Sequence, residues 1–301
     1  MHFYKYHALG NDYIVVDPAD APLTPNDAVL KRLCHRHFGV GGDGVLWGPI
    51  PADDPHLIEG GARGSGDAPD QPPLVCGLRI FNPDGSEAEK SGNGLRIFCR
   101  YLRDTGRVTG EPFRLATLGG NVECRVADDA RSVQVAMGRV SFLSKDIPVA
   151  GPPREVINET IQAGGETLVY CSATIGNPHC VIVRNEVSEE ETRRLGPSLE
   201  THTNFPNRTN VQFMQIVDPH TIRIEIWERG AGYTLASGSS ASACAAIARR
   251  LQQCESDITV SMPGGELNIT VNDAYDVTME GPVTAVAQGT IAEDLLAELR
   301  S

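Results

Sequence analysis

Two matching stretches, one in each half of the chain, constrain the fold more than any other feature. Each is a polar, glycine-rich loop that ends in Ser-Gly and runs into an apolar segment with helical spacing; the loops are 82–94 and 228–240. A serine before a helix is a preferred N-cap, and the N–H groups behind it bind anions. The pattern therefore predicts Ser91 and Ser237 as caps of two equivalent helices that hold one small anionic ligand. The simpler alternative is two ordinary capped helices.

Composition narrows the class of protein. The 301 residues are enough for two domains. With 39 acidic and 26 basic residues the net charge is −13, which disfavours a nucleic-acid or anionic-membrane surface. The eight cysteines form no CxxC pair and no metal spacing, so they are expected to be reduced and structural. Without a signal-peptide layout or a run of membrane-spanning length, we expect a cytoplasmic protein without a membrane partner.

The order of the predicted elements indicates an α+β fold with sheets around two central helices, and no βαβ rhythm. Thr24-Pro25 predicts a helix start, and Leu195-Gly-Pro predicts the end of a helix that begins at Glu189. A strand is expected over 154–161. The segment 49–73 is rich in Pro, Gly, Asp and Ala and is expected to be an exposed insertion.

Eight short motifs, taken together and in order, resemble the diaminopimelate epimerase family. The resemblance covers the chain from residue 1 to about 291. The motifs are His7-Ala-Leu-Gly-Asn-Asp-Tyr, Phe81-Asn-Pro-Asp-Gly-Ser-Glu, Ser91-Gly-Asn-Gly-Leu-Arg, Gly176-Asn-Pro-His, Arg208-Thr-Asn, Glu228-Arg-Gly-Ala-Gly, Ser237-Gly-Ser and Pro263-Gly-Gly.

The resemblance implies two similar domains, each a mixed or antiparallel β-barrel-like sheet around a central helix, with the active site in the interdomain cleft. It places residues 1–138 and 283–301 in the first domain and 139–282 in the second. The implied activity is isomerase chemistry without pyridoxal phosphate, another cofactor or a metal. It interconverts LL- and meso-diaminopimelate, or epimerises a related small polar amino acid, in the lysine and peptidoglycan precursor pathway. The family also implies a homodimer.

The resemblance assigns substrate-binding roles to specific residues. N–H groups around Gly92, Asn93, Gly238 and Ser239 would hold the α-carboxylate, where helix N-termini stabilise developing negative charge. Glu228 and the Arg229 carbonyl would hold the α-ammonium. The far end of the substrate would be bound by four amides and one guanidinium, those of Asn11, Asn82, Asn177, Asn210 and Arg229.

The chain departs from the family at the two positions where the family has catalytic cysteines. Ser91 and Ser237 stand there. A thiol has a pKa of about 8.5, whereas the pKa of an aliphatic hydroxyl is much higher and close to that of water. A gap of about seven units corresponds to on the order of 10 kcal/mol for forming the base. Cys99 and Cys244 lie about two helical turns further along and are expected in the core.

Four explanations of the serines are open. They are an engineered double replacement that traps substrate, a natural enzyme whose serines are activated by His179 or Glu228, an easier proton transfer on a more acidic substrate, and binding without turnover. Two other functions on the same fold remain as alternatives: a double-bond isomerase with a Glu or His base, and a catalytically inactive amino-acid-binding homologue.

Overall fold

A computed structural model describes residues 1–61 and 71–300. The strands of this part are β1 His2–Ala8, β2 Asn11–Val16, β3 Val45–Ile50, β4 Leu74–Phe81, β5 Glu87–Ala88, β6 Phe113–Thr117, β7 Gly120–Val126, β8 Ser132–Arg139, β9 Glu159–Ala163, β10 Glu166–Thr174, β11 Pro178–Arg184, β12 Asn210–Asp218, β13 Thr221–Glu228, β14 Gly232–Thr234, β15 Asp257–Met262, β16 Gly265–Val271, β17 Asp276–Pro282 and β18 Thr284–Thr290. The helices are α1 Asp27–Cys34, α2 Pro55–Gly60, α3 Gly92–Asp104, α4 Glu189–Glu200, α5 Gly238–Arg250 and α6 Glu293–Arg300, with a 3-10 turn at Pro18–Asp20. No helix among the described residues is long and apolar enough to cross a bilayer.

The chain forms two compact units, and the first comprises Met1–Val135 and Gly281–Ser301. Its strands follow the order β18-β1-β2-β3-β4-β6-β7-β8. The pairs β2–β3 and β4–β6 are parallel and the others antiparallel. The two-residue strand β5 pairs with the end of β4 and carries the chain toward α3.

The second unit, Ala136–Glu280, repeats this topology. Its strands follow the order β9-β10-β11-β12-β13-β15-β16-β17, and the parallel pairs, β11–β12 and β13–β15, fall at the same places in the order. The short strand β14 pairs with β13 as β5 does with β4. The α+β class with two similar domains, predicted from the sequence, is therefore confirmed.

One helix lies at the centre of each unit. Nine of the 13 residues of α3 and ten of the 13 residues of α5 are buried, and the buried residues include unbroken runs of more than one turn, so each helix is enclosed there on all sides. Half of the buried residues of α5 are alanines, and this helix contacts β10, β11, β12, β13, β15 and β16. Burial all round fixes the helix axis, and with it the position of the helix N-terminus.

The first helix begins two residues later than predicted. Asn26 is the N-cap of α1, and its side chain accepts a hydrogen bond of 3.0 Å from the Val29 N–H. Asn is as good a cap as Thr or better. Thr24 and Pro25 belong to the loop before it, so the predicted helix start is wrong.

The helix that begins at Glu189 was predicted to end at Leu195-Gly-Pro, and this is also wrong. α4 continues through Pro197 to Glu200. Leu195 and Leu199, one turn apart on either side of the proline, are both fully buried in the same apolar cluster. Their burial outweighs the hydrogen bond that the proline removes. The strand expected over 154–161 is likewise displaced, since β9 runs from Glu159 to Ala163.

The segment 49–73 is not wholly exposed. Its first part forms the short helix α2, in which Leu57 is fully buried and packs with Ala116 and Ile50. The residues around Leu57 are mostly exposed, and this single apolar side chain ties them to the sheet. Residues 62–70 lie outside the described part of the chain.

The burial of Leu57 leads to a stability prediction. Replacing Leu57 with Ala should lower the free energy of unfolding by about 2–4 kcal/mol, since it removes apolar contacts and leaves a cavity. The neighbouring Ile58 is 44% exposed, so Ile58→Ala should cost no more than about 0.5 kcal/mol. Urea unfolding of both variants measures the difference. Equal effects would show that α2 is not packed on the sheet.

Candidate active site

Both central helices begin with the predicted serine cap. The Ser91 Oγ accepts a hydrogen bond of 3.1 Å from the Gly94 N–H, and the Ser237 Oγ accepts one of 3.5 Å from the Ser240 N–H. The backbone angles of the caps nearly coincide, with φ −140° and ψ 116° at Ser91 and φ −147° and ψ 122° at Ser237. The two units thus present the same local structure at the same place.

The first N–H groups of each helix are available to a ligand. Within the described residues, the N–H groups of Gly92 and Asn93 in α3, and of Gly238 and Ser239 in α5, meet no protein acceptor. Such groups at a helix N-terminus bind a carboxylate or phosphate, aided by the helix dipole. In both units, therefore, the predicted carboxylate-binding N–H groups have no protein acceptor among the described residues.

In the first unit, an amide from β2 reaches the first turn of α3. The Asn93 Nδ2 donates to the Asn11 Oδ1 at 3.0 Å, and the Asn11 Nδ2 donates to Asp43 at 3.0 Å. Arg96, which is fully buried, donates to the Asn93 Oδ1 at 2.6 Å. The structure therefore brings Asn11 and Asn93 together. Asn82 instead donates to the Ser86 hydroxyl within its own loop.

The second unit has the same contact at the same place. The Asn177 Nδ2 donates to the Ser239 Oγ at 3.2 Å, as Asn93 bonds to Asn11. His179, two residues further along β11, bonds through Nε2 to the Asn177 Oδ1 at 3.0 Å. His179 is fully buried, and burial lowers its pKa to about 3. The imidazole is thus neutral near pH 7 and orients Asn177.

The loop that follows β13 is held from two sides. The Asn210 Oδ1 accepts from the Arg229 N–H at 2.9 Å, and the buried Glu200 accepts from the Gly230 N–H at 2.9 Å and from the Trp227 Nε1 at 2.7 Å. The Arg229 guanidinium donates to the Asn207 carbonyl. These contacts set the backbone direction at Glu228.

Glu228 lies next to the second serine. Burial raises the pKa of its carboxyl above the ordinary value, although hydrogen bonds from the Ser237 and Thr234 hydroxyls act in the opposite direction. The Thr234 bond measures 3.3 Å. A carboxylate with a raised pKa that contacts a hydroxyl has the properties of a general base.

The cysteines do not take the place of the serines. Seven of the eight free thiols are buried. Burial raises the pKa of Cys99 in α3 and of Cys244 in α5, which makes both thiols weaker sources of thiolate. They are core residues, as the sequence indicated.

Several residues of the site were not identified from the sequence. Glu200 carries no local signal, because its role depends on tertiary contacts. Tyr13, whose hydroxyl contacts the Ser91 Oγ, does carry a local signal. It lies two residues after Asn11 on β2, and residues two apart on a strand share a face. Tyr233 packs away from the cap: its hydroxyl donates to Glu225 at 2.6 Å and its ring lies under the Arg193 guanidinium.

The fold defines the class first. A solved structure with the same fold is a predicted epimerase from Pseudomonas aeruginosa, with a TM-score of 0.64 and 15% identity over 96% of this chain and 98% of that one. A second is a hydroxyproline epimerase from Agrobacterium vitis, with a TM-score of 0.64 and 13% identity over 96% of this chain and 91% of that one. A methylitaconate-delta-isomerase is also similar, with a TM-score of 0.60 and 10% identity over 99% of this chain and 97% of that one. At these identities the likeness shows the fold alone.

The sequence then gives the family. A profile described as diaminopimelate epimerase matches residues 3–143 and 171–286. The chain is 52% identical over 299 residues to diaminopimelate epimerase 2 of Nostoc sp. (strain PCC 7120), covering 99% of this chain and 98% of the relative. It is 39% identical over 304 residues to diaminopimelate epimerase of Synechococcus sp. (strain JA-3-3Ab), covering 97% and 99%. The chain belongs to the diaminopimelate epimerase family.

The buried neutral His179 predicts a pH effect on stability. Its folded pKa of about 3 lies below the unfolded value of about 6.5, so the unfolded state binds more protons between these values. The free energy of unfolding should therefore fall as pH falls through that window, by up to about 2 kcal/mol between pH 6.5 and 5. In His179→Gln this part of the loss should disappear.

Urea unfolding at pH 7 and at pH 5 measures the effect. His37 is exposed, so His37→Gln serves as the control and should keep the wild-type pH dependence. If His179→Gln lost as much stability on acidification as His37→Gln, the imidazole would not be buried in its neutral form.

Proposed function

We propose that this chain is an isomerase of the diaminopimelate epimerase type, which inverts the configuration at the α-carbon of diaminopimelate without a cofactor. The observation that carries the proposal is the pair of equivalent helix N-termini, each capped by a serine and each with free N–H groups. Membership of the family supports the reaction and the substrate. The pathway role that follows is in lysine biosynthesis.

The reaction requires two proton transfers and a stabilised anion. One group removes the α-proton while another returns a proton to the opposite face, and negative charge builds on the α-carboxylate. The N–H groups of Gly92, Asn93, Gly238 and Ser239 are suited to hold that carboxylate, since fixed dipoles need no reorganisation when the charge develops.

Ser237 and Glu228 form the base in this proposal. The Ser237 Oγ takes the α-proton as its own proton moves to the Glu228 carboxylate, so that no free alkoxide forms. Two features support this pairing: burial raises the pKa of Glu228, and the Ser237 hydroxyl is near enough to act on that pKa in the opposite direction. Ser91 is the acid that returns a proton.

The remaining residues bind and orient the substrate. We assign the distal amino and carboxylate groups to the Arg229 side chain and to four amides, those of Asn11, Asn82, Asn177 and Asn210. Asn11 and Asn177 each contact the first turn of a central helix, which places them near the carboxylate as well. We assign neutral His179 to holding Asn177 in place. The role of His179 as a base, which the sequence suggested, stays a prediction.

We further propose that the protein acts in the cytoplasm as a homodimer, and that its two compact units are the two epimerase-like domains. The eight free thiols are compatible with a reducing compartment. The dimer rests on the family resemblance, and light scattering of the purified protein tests it directly.

Hydrogen exchange tests the reaction itself. In deuterated water with LL-diaminopimelate, the wild-type chain should incorporate deuterium at the α-carbon and form the meso isomer. Ser91→Cys combined with Ser237→Cys should raise the rate at least about 100-fold, because a thiol is a far stronger acid than a hydroxyl. Mass spectrometry measures the incorporation.

Two results would overturn parts of this proposal. Exchange only in the double-cysteine variant would leave the wild-type chain as an amino-acid-binding protein. Exchange in neither would reject diaminopimelate as the substrate. A double-bond isomerase with a Glu or His base has less support, and it predicts activity that survives Ser91→Ala.

The raised pKa of Glu228 predicts the acidic limb of the pH profile. The base must be ionised, so the exchange rate should fall on acidification at a pH above the ordinary carboxyl range of about 4.3. Glu228→Gln should lower the rate at least about 100-fold at all pH values. Glu225→Gln, on the same strand, is the control and should keep both the rate and the limb. A wild-type limb that persists in Glu228→Gln would assign the base elsewhere.

A further inference from the structure

Ser91 faces the harder half of the proposed reaction. It must give and regain a proton, yet an aliphatic hydroxyl ionises roughly six units above a phenol and seven above a thiol. The groups that contact its Oγ therefore decide whether it can work. Two hydrogen-bond contacts are present: the Gly94 N–H at 3.1 Å and the Tyr13 hydroxyl at 3.2 Å.

Tyr13 is held firmly at this place. It lies on β2, two residues after Asn11 and on the same face, and it is 6% exposed. Its ring packs against Gly44, where an added Cβ would lie 2.5 Å from a ring carbon of Tyr13 and 2.5 Å from the Phe81 carbonyl oxygen. Only glycine at position 44 leaves room for the ring, so the phenol is fixed by packing rather than by its hydroxyl alone.

Either hydroxyl can be the donor in the hydrogen bond between Tyr13 and Ser91, and one of the two directions permits a relay. The Gly94 N–H donates to the Oγ and fills one acceptor position. When the Tyr13 hydroxyl donates to the second position, the Ser91 proton is left to point at another acceptor. The serine is then set to give its proton away and to receive a replacement from the phenol.

We propose that Tyr13 is the proton-relay partner of Ser91. As Ser91 passes its proton to the α-carbon of the substrate, the Tyr13 phenol passes its proton to the Ser91 Oγ. The new C–H and O–H bonds balance the two O–H bonds broken, and the phenolate carries the charge. In the reverse direction the phenolate takes the proton back through Ser91. The inference rests on the proposed function, since it supplies that function with its second acid.

The serine cap of the second unit has a different neighbour on the equivalent strand. His179 occupies the matching strand position, two residues after Asn177, but it bonds to Asn177 instead of the serine. The titratable neighbour of Ser237 is instead Glu228, whose pKa the Ser237 hydroxyl lowers. Each serine thus has one titratable partner, a phenol for Ser91 and a carboxylate for Ser237, and the difference suits one to donate and the other to accept.

The elements that carry or pack against Tyr13, namely β1, β2 and α3, also carry charged groups. Asp12, the preceding residue of β2, is paired with Lys5 and Arg36. Opposite Tyr13 on β1 is Tyr6, whose hydroxyl donates to Asp104. Arg96 contributes the positive charge of α3.

A double-mutant cycle with α-hydrogen exchange tests the relay. Tyr13→Phe keeps the ring and removes the hydroxyl, and it should lower the exchange rate on diaminopimelate at least about 100-fold. In Ser91→Cys the thiol titrates by itself, so adding Tyr13→Phe should cost less than about 10-fold. Tyr6→Phe removes another buried phenol from the same unit and should stay near the wild-type rate.

The pH profile separates a relay from a structural role. The wild-type rate should fall at high pH, above about pH 9, where a phenol loses the proton it must donate. This alkaline limb should be absent in Tyr13→Phe and should move down in Ser91→Cys. Thermal unfolding checks that each variant is folded.

The outcomes distinguish the two proposals. Wild-type exchange with an unchanged rate and limb in Tyr13→Phe overturns the relay and leaves the epimerase proposal intact. Equal losses in the serine and cysteine backgrounds also overturn it, since the phenol would then act on structure alone. No exchange in the wild type, with exchange in the double-cysteine variant, overturns serine chemistry and the relay together.

Discussion

The hydrogen bond from a helical N–H to the hydroxyl of the capping serine is the interaction on which both halves of the site depend. It holds the start of α3 and of α5, and it leaves the N–H groups before it pointing outward. The enclosure of each helix by its sheet makes that N-terminus rigid. The amides of Asn11 and Asn177 then brace the second residue of each helix. The apolar packing around α3 and α5 thus sets the positions of the polar groups at their N-termini.

The two units share a scaffold but not its side chains. Asn82 and Glu228 each lie nine residues before their serine, at the end of equivalent strands. One is a neutral amide turned into its own loop, and the other is a half-buried carboxylate that accepts from the Thr234 hydroxyl. Tyr13 and His179 also occupy equivalent strand positions, but the phenol of Tyr13 contacts the serine cap whereas the imidazole of His179 bonds to Asn177. An internal repeat provides matching geometry, and separate substitutions then give each half its own proton affinity.

The sequence predicted the parts of this arrangement that depend on neighbouring residues. The paired serine caps, the turn glycines and the α+β class follow from local patterns. The errors arise where tertiary burial decides: α4 passes through Pro197 because Leu195 and Leu199 are both buried. Glu200 was missed for the same reason, since its importance lies in contacts across the fold. Tyr13, by contrast, could have been found from its spacing of two residues from Asn11 on one strand.

The last strand of the chain has a consequence for how the protein is made. β18 pairs with β1 in the first unit as β9 pairs with β10 in the second. The second unit holds all its strands by residue 282, whereas the first has its opening strand unpaired on one side until β18 is synthesised. On the ribosome, the half that is translated first is therefore the last to close, because one edge of β1 stays without its partner strand until β18 emerges.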